Sequence, residues 1–320
     1  MRLVATPDNP IPAGAVVASI RAADGVRLRT ARWVPPVPPR GTIAILGGRA
    51  EFIEKYFETI EQLLDRGFAV AAMDWRGQGG SARQLRNPRK GHIDDFSLFE
   101  RDLDAFVGEI LGPSCPQPWF GLGHSMGAAI LLAVARAGRC PFDRLVLTSP
   151  MIALVGLRRP RAARLVAEAL DALGLGGAFA PGGGSKIVAS GPFEGNPLTS
   201  DPARYARMAD VVAADPGLGL GWPTVGWLHA AFRLMRAFED PDFARRTLTP
   251  ILVIAAGADR VTDTRAAERF ASRLRAGRLV VVDGAEHEIV MERDIFRDRF
   301  WAAFDAFIPG VEGEKARAAQ

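Results

Sequence analysis

A chain of 320 residues, 48% hydrophobic and 24% charged, carries enough apolar material for a large buried core and excludes wholesale disorder. Its 40 basic and 36 acidic residues leave a net charge of only +4, and no Lys/Arg run resembles a nucleic-acid arm, which argues against a nucleic-acid partner. Cys115 and Cys140 form no CxxC or Cys/His spacing, so neither a zinc site nor a disulfide framework is expected and a reduced, cytoplasmic setting fits best.

At the N-terminus, Pro10 and Pro12 stand where a secretory signal would need a continuous apolar stretch. No run of about 18 apolar residues predicts a membrane span. Val16 to Val34 reads as two short strands around Asp24-Gly25, an antiparallel hairpin that opens the sheet. After the Pro-rich link Pro35 to Pro39, strand-like runs follow at Thr42 to Leu46, Phe68 to Met73 and Trp119 to Leu122. Ile53 to Asp65 and Phe96 to Ile110 carry apolar positions at spacings of three and four, the pattern of amphipathic crossover helices. Further strands are predicted at Arg144 to Leu147, Ile251 to Ala255 and Leu279 to Val282, with helices after Thr264 and Ile289. This alternation predicts an α/β fold with a mostly parallel, doubly wound sheet.

About a hundred residues separate Ser149 from Pro250, far more than a simple connection requires. They comprise a Leu/Ala/Arg segment from Leu157 to Leu175, then Gly182-Gly183-Gly184, then a segment with Trp222 and Trp227. A mostly helical cap with a flexible loop is the expectation. The predicted organisation is a core formed by 1–150 and 246–311, an inserted cap at 151–245, and a polar tail at 312–320.

Gly123-His124-Ser125-Met126-Gly127 matches GxSxG, in which a sharp strand-to-helix turn lifts a serine hydroxyl clear of the sheet. A strand-like run precedes it and the strong helix former Ala128 to Ala137 follows, as such an elbow requires. A serine nucleophile needs a base, and the chain holds four histidines, His92, His124, His229 and His287. His124 adjoins the serine on the strained turn, His229 lies in the cap, and His92 precedes the acid in chain order. His287, just beyond the last strand, is therefore the expected base. Asp259, after the strand Ile251 to Ala255, is the expected third member, with Asp263 a rival better suited to capping the helix near Thr264. The order Ser, Asp, His is the order of the α/β-hydrolase fold.

Beyond GxSxG, the sequence resembles the lysophospholipase and monoacylglycerol lipase branch of the α/β-hydrolases, a group also classed with serine aminopeptidases. The resemblance rests on Gly48-Arg49-Ala50-Glu51, Asp74-Trp75-Arg76-Gly77-Gln78-Gly79, Gly91-His92-Ile93-Asp94-Asp95-Phe96, Pro223-Thr224-Val225-Gly226-Trp227-Leu228 and the Asp259 and His287 contexts. It implies backbone oxyanion donors at Arg49 and Met126. Many relatives carry His-Gly where this chain has Gly47-Gly48. The resemblance also makes Asp74 to Gly79 and His92 mainly structural.

His124, Trp222 and Trp227 are candidates for substrate contact, the two tryptophans either lining an acyl cavity or packing the cap's own core. Arg158, Arg159, Arg161 and Arg164, interleaved with Leu157, Leu165 and Val166, form either a solvated helix face or a surface for peripheral contact with anionic lipid. The implied activity is hydrolysis of a small-molecule or single-chain lipid ester through an acyl-enzyme, with no metal and no organic cofactor. A general carboxylesterase, a thioesterase, an acyltransferase, an aminopeptidase and an inactive binding module of the same fold are the alternatives.

Overall fold

The computed structural model describes residues 1–156, 160–188 and 191–309. Eight strands form one sheet: β1 (Val16–Arg21), β2 (Arg27–Trp33), β3 (Thr42–Leu46), β4 (Ala69–Met73), β5 (Trp119–His124), β6 (Arg144–Thr148), β7 (Ile251–Ala256) and β8 (Gly277–Val282). Their spatial order is β1-β2-β4-β3-β5-β6-β7-β8. The opening hairpin pairs antiparallel, as does β2 with β4, and every later neighbour is parallel.

The central strands are buried on both faces, and their side chains divide with a period of two. Ala44, Leu46, Ala71, Met73, Leu145, Leu147 and Val253 join one apolar cluster; Ile43, Ile45, Val70, Ala72, Val146, Leu252 and Ile254 join the other. Helices cover both sides. On the first face lie α2 (Ser97–Phe106), α3 (Met126–Arg136) and α8 (Thr264–Ala271); on the second, α1 (Phe57–Asp65) and α9 (Asp294–Phe307).

The connection between β6 and β7 contains α4 (Pro160–Leu170), α5 (Pro202–Ala214), α6 (Val225–Phe238) and α7 (Pro241–Arg245). Asp201 caps α5 by accepting from the amides of Ala203 and Arg204, with Pro202 in the first turn where a missing N–H costs little. Thr224 caps α6 by accepting from the Trp227 amide. Tyr205, Met208, Val211 and Val212 of α5 pack on Val4 and Phe52, and Arg204 bridges to Glu58 and Asp294. The insertion is thereby pinned across the carboxyl ends of the strands.

Two local readings change. Ile289–Met291 is a single 3-10 turn, and the last long helix begins only at Asp294, after the extended residue Glu292. In the connection after β4, a wide turn at Val107–Leu111 and a final turn at Gly112–Ser114 prolong α2 beyond the predicted end. Leu157, Arg158, Arg159 and the tail 312–320 lie outside the described residues. Of the remaining basic cluster, Arg161 is exposed and Arg164 pairs with Glu239.

Candidate active site

Ser125 sits between β5 and α3 with φ +49° and ψ −109°, outside the conformations an L-residue prefers. Holding a non-glycine residue there costs about 1–3 kcal/mol, which the surrounding close packing sustains. Gly127 shows why the packing demands glycine: a Cβ there would lie 2.1 Å from the Leu46 carbonyl oxygen. The helix can approach β3 only without a side chain, and that approach aims Ser125 at the carboxyl edge of the sheet.

Two other strand ends supply its partners. The loop after β8 carries His287, whose backbone carbonyl accepts from Ser149 Oγ at 2.7 Å. His287 Nε2 is 3.0 Å from Ser125 Oγ, and its Nδ1 is 2.8 Å from Asp259 Oδ2. Asp259, in the turn after β7, also accepts from the amides of Val261 (2.7 Å) and Thr262 (2.9 Å) and from Thr262 Oγ1 (2.8 Å). Burial alone would raise the Asp259 carboxyl, but the His287 hydrogen bond and charge, with the Thr262 and Val261 amides, outweigh it and hold it below the ordinary carboxylate value. An ionised Asp259 can only accept, so His287 carries its proton on Nδ1 and leaves the Nε2 lone pair for the serine O–H.

Asp263 has a different place: it caps α8 by accepting from the Ala266 amide at 3.0 Å. The remaining histidines are engaged elsewhere. His92 Nδ1 meets the Thr224 hydroxyl at 2.9 Å and its Nε2 meets Asp94, tying the core to the start of α6. His229 pairs with Asp171 inside the insertion. His124 is buried beside the site, its ring 4.8 Å from that of His287 and its Nδ1 3.0 Å from Thr148 Oγ1. Burial pushes its imidazole down to about 3, so it is neutral at physiological pH.

The loop after β3 passes directly over Ser125. A Cβ built on Gly48 would lie 3.2 Å from Ser125 Cβ and 3.2 Å from the His124 ring, so bulk at this position would collide with the elbow. Met126 is the first residue of α3, and its amide has no acceptor within the helix. The Arg49 side chain leaves the same loop and donates from Nη2 to the Gly221 carbonyl at 2.8 Å, with its guanidinium 5.3 Å from the Trp227 ring centroid.

Above Ser125 lies a cavity of about 300 Å³, lined by Met151, Leu154, Leu198, Met208, Trp227 and Val261 among others. Trp227 and His124 line it; Trp222 does not. Trp222 is 50% exposed, because its amide donates to the Gly184 carbonyl and seats the side chain against Gly183 on the outside of the insertion.

Beneath the cavity is a polar cluster without a signal in the sequence beyond the four-residue spacing of Glu51 and Lys55. Lys55 Nζ is 2.5 Å from both Glu51 Oε1 and Glu288 Oε1, and Glu51 also accepts from Tyr56 Oη at 2.5 Å and from the Gly48 amide. Burial opposes ionisation of Glu51, yet Lys55, His124 and Tyr56 draw it down to about 2. Glu51, His124 and Glu288 bring ligand-type atoms within 4.8 Å of one another, but the Lys55 ammonium holds both carboxylates, and a divalent cation would have to displace it.

The Asp74 to Gly79 turn is held the same way. Asp74 accepts from Arg29 Nε at 2.6 Å, from the Gly80 amide at 2.7 Å and from the Ile53 amide at 3.0 Å. Gln78 Nε2 donates to the Gly48 carbonyl at 2.7 Å, so this turn buttresses the loop over Ser125.

A GxSxG elbow, a serine-histidine-aspartate line and this sheet order together define an α/β-hydrolase of the serine hydrolase class. The chain belongs to the family described as serine aminopeptidase, S33, whose model matches residues 37–294. It is 35% identical over 271 residues to lysophospholipase L2 of Escherichia coli, covering 80% of this chain and 76% of that protein. It is 27% identical to a monoacylglycerol lipase of Mycolicibacterium smegmatis over 86% of this chain and 90% of that one. Among solved structures, a carboxyl esterase from Bacillus coagulans superposes with a TM-score of 0.75 at 22% identity, covering 93% of this chain and 99% of that chain. A monoglyceride lipase from Saccharomyces cerevisiae does so with a TM-score of 0.70 at 19% identity, covering 92% and 97%.

Proposed function

We propose that the protein hydrolyses carboxylic esters of single-chain lipids through an acyl-enzyme, with Ser125 as nucleophile, His287 as general base and Asp259 as the residue that orients and balances the imidazole. The observation that carries the reading is the unbroken line of hydrogen bonds from Ser125 Oγ through His287 to Asp259 at the floor of an apolar cavity. As Oγ attacks the ester carbonyl, Nε2 takes its proton, and the new imidazolium is stabilised by Asp259. The oxyanion is received by the amides of Arg49 and Met126, each such donor contributing about 3 kcal/mol at the transition state. The imidazolium then protonates the leaving alcohol, and water, deprotonated by the same nitrogen, releases the acid.

The named relatives are lysophospholipases and monoacylglycerol lipases, and the cavity offers an acyl chain Met151, Leu154, Leu198 and Met208. Residues 151–245 serve as the lid that shelters it. An amine-terminal peptide substrate is disfavoured, since both carboxylates lining the cavity, Glu51 and Glu288, already bind Lys55. The outer side of α4, where Leu165 and Val166 are exposed beside Arg161, is the surface offered to lipid. Among the described residues no helix is long and apolar enough to cross a membrane.

The test is hydrolysis of a short p-nitrophenyl ester, a lysophospholipid and a monoacylglycerol by the native protein and by Ser125→Ala. Turnover that depends on Ser125 and favours the lipids is expected. Equal inertness of both proteins toward all three, and toward a fluorophosphonate probe, would replace this reading by that of an inactive binding module.

A further inference from the structure

Charges buried around the site come in compensated groups. Lys55 sits between two carboxylates, Arg29 between Glu54 and Asp74, and Arg76 between Asp102 and Asp24. Arg49 breaks the pattern. It lines the cavity next to Ser125, its Nη2 donates to a neutral carbonyl, its Nε is buried with no acceptor, and its guanidinium lies against the Trp227 ring. No carboxylate among the described residues pairs with it. Burial, with no opposing charge, pushes the guanidinium down to about 10, so it still carries its proton at neutral pH. Arg49 is half-buried, and a cation held largely out of water is costly unless something brings the countercharge.

We infer that the Arg49 guanidinium is the subsite for a phosphate on the substrate, which makes the preferred substrate a phosphate-bearing single-chain lipid ester rather than a neutral monoacylglycerol. The inference rests on the ester-hydrolase reading and adds to it the class of head group. Its geometry is internally consistent. The Arg49 amide receives the oxyanion of the ester being cleaved, and six covalent bonds separate that nitrogen from its own guanidinium carbon. Six bonds also separate the ester carbonyl carbon of a 1-acyl lysophospholipid from its phosphorus. Both spans reach about 7 Å when extended, so one residue can address the reacting carbonyl with its backbone and the phosphate with its side chain. Guanidinium is suited to this, because its planar fork of donors matches two phosphate oxygens at once.

The competing role for Arg49 is a clamp that holds the β3 loop to the insertion through Gly221 and Trp227. A clamp serves all substrates alike, whereas a phosphate subsite discriminates. The experiment therefore measures kcat/KM for a 1-acyl lysophosphatidate and for the 1-monoacylglycerol of the same acyl chain, with the native protein, Arg49→Leu and Arg49→Lys. The backbone amide survives in every case.

The native protein is expected to favour the phosphate-bearing lipid. In Arg49→Leu the ratio of the two kcat/KM values is expected to fall at least tenfold, with partial recovery in Arg49→Lys. A ratio that stays within twofold while both activities drop assigns Arg49 to the clamp and overturns the proposal. Should neither variant remain folded by Ser125-directed fluorophosphonate labelling, the native preference decides: equal or better turnover of the monoacylglycerol overturns it. Absence of Ser125-dependent turnover of either lipid is a separate result, and it strikes the ester-hydrolase reading itself.

Discussion

Two buried polar assemblies lie side by side under the cavity, and they differ in whether they close. Glu51, Lys55, Tyr56 and Glu288 bond mainly to one another, with only Glu288 Oε2 left without a partner among the described residues, like a core cluster that happens to be charged. The line from Asp259 through His287 is satisfied at one end by two amides and a hydroxyl and ends at the other on the Ser125 hydroxyl, which faces the cavity. A closed cluster can only stabilise or destabilise the fold. An open-ended one can pass a proton to whatever enters. Removing members of each should therefore separate stability from activity.

The largest effect is expected for the open line. Ser125→Ala should lower kcat on a p-nitrophenyl ester by about 10⁴-fold or more while leaving the thermal midpoint in place, because the change removes the proposed nucleophile and little packing. Retained turnover in a folded Ser125→Ala protein would contradict the division. Lys55→Met should do the opposite and cost about 3–5 kcal/mol of stability by stranding two buried carboxylates, read as a lower urea midpoint. A neutral result there would mean that Glu51 and Glu288 find other partners or take up protons.

Trp227→Ala and Trp222→Ala sharpen the comparison within the insertion. Trp227 lines the cavity and is buried, so its removal should raise KM for a long-chain ester and destabilise the protein by about 3 kcal/mol or more. Trp222, half exposed and outside the cavity, should change either quantity by less than about twofold or 0.5 kcal/mol. Equal effects would place both rings in one packing unit.

A pH-dependent effect follows from His124. Its folded value of about 3 lies below the ordinary 6.5, so between those limits the unfolded chain binds more protons and stability falls as pH drops. His124→Asn should flatten that part of the stability curve relative to the native protein, the contributions of other groups cancelling in the difference. Parallel native and variant curves from pH 6.5 to 4 would show that the imidazole titrates normally.

Much of this was legible beforehand for identifiable reasons. β3 and β4 are short apolar runs bounded by breakers, and their faces divide with a period of two, so the sheet follows from pattern alone. The meeting of Ser125, Asp259 and His287 was readable because each follows a predicted strand, and parallel topology sends all those ends to one edge. Asp259 and Asp263 were separable because a cap belongs immediately before a helix. Trp222 and Trp227 were not, since solvent exposure depends on how Gly182 to Gly184 turn the chain. The Lys55 cluster was hidden more deeply: Glu51 and Lys55 at a spacing of four read as an ordinary solvated helix pair, and Glu288, remote in sequence, joins them only through the fold. The start of α9 slipped because Ile289 to Met291 are apolar enough to continue a helix, while Glu292 is held extended and accepts from the Ser200 hydroxyl at 2.6 Å and the Glu286 amide at 2.8 Å.

The central claim is that Ser125 is the nucleophile activated by His287. Its most direct test is mass-spectrometric mapping after a fluorophosphonate reaction, comparing the native protein with a folded His287→Gln variant. The account predicts a single adduct on the peptide containing Ser125, forming at least a hundredfold more slowly in the variant. An adduct on another residue, or equal rates in the two proteins, would contradict it.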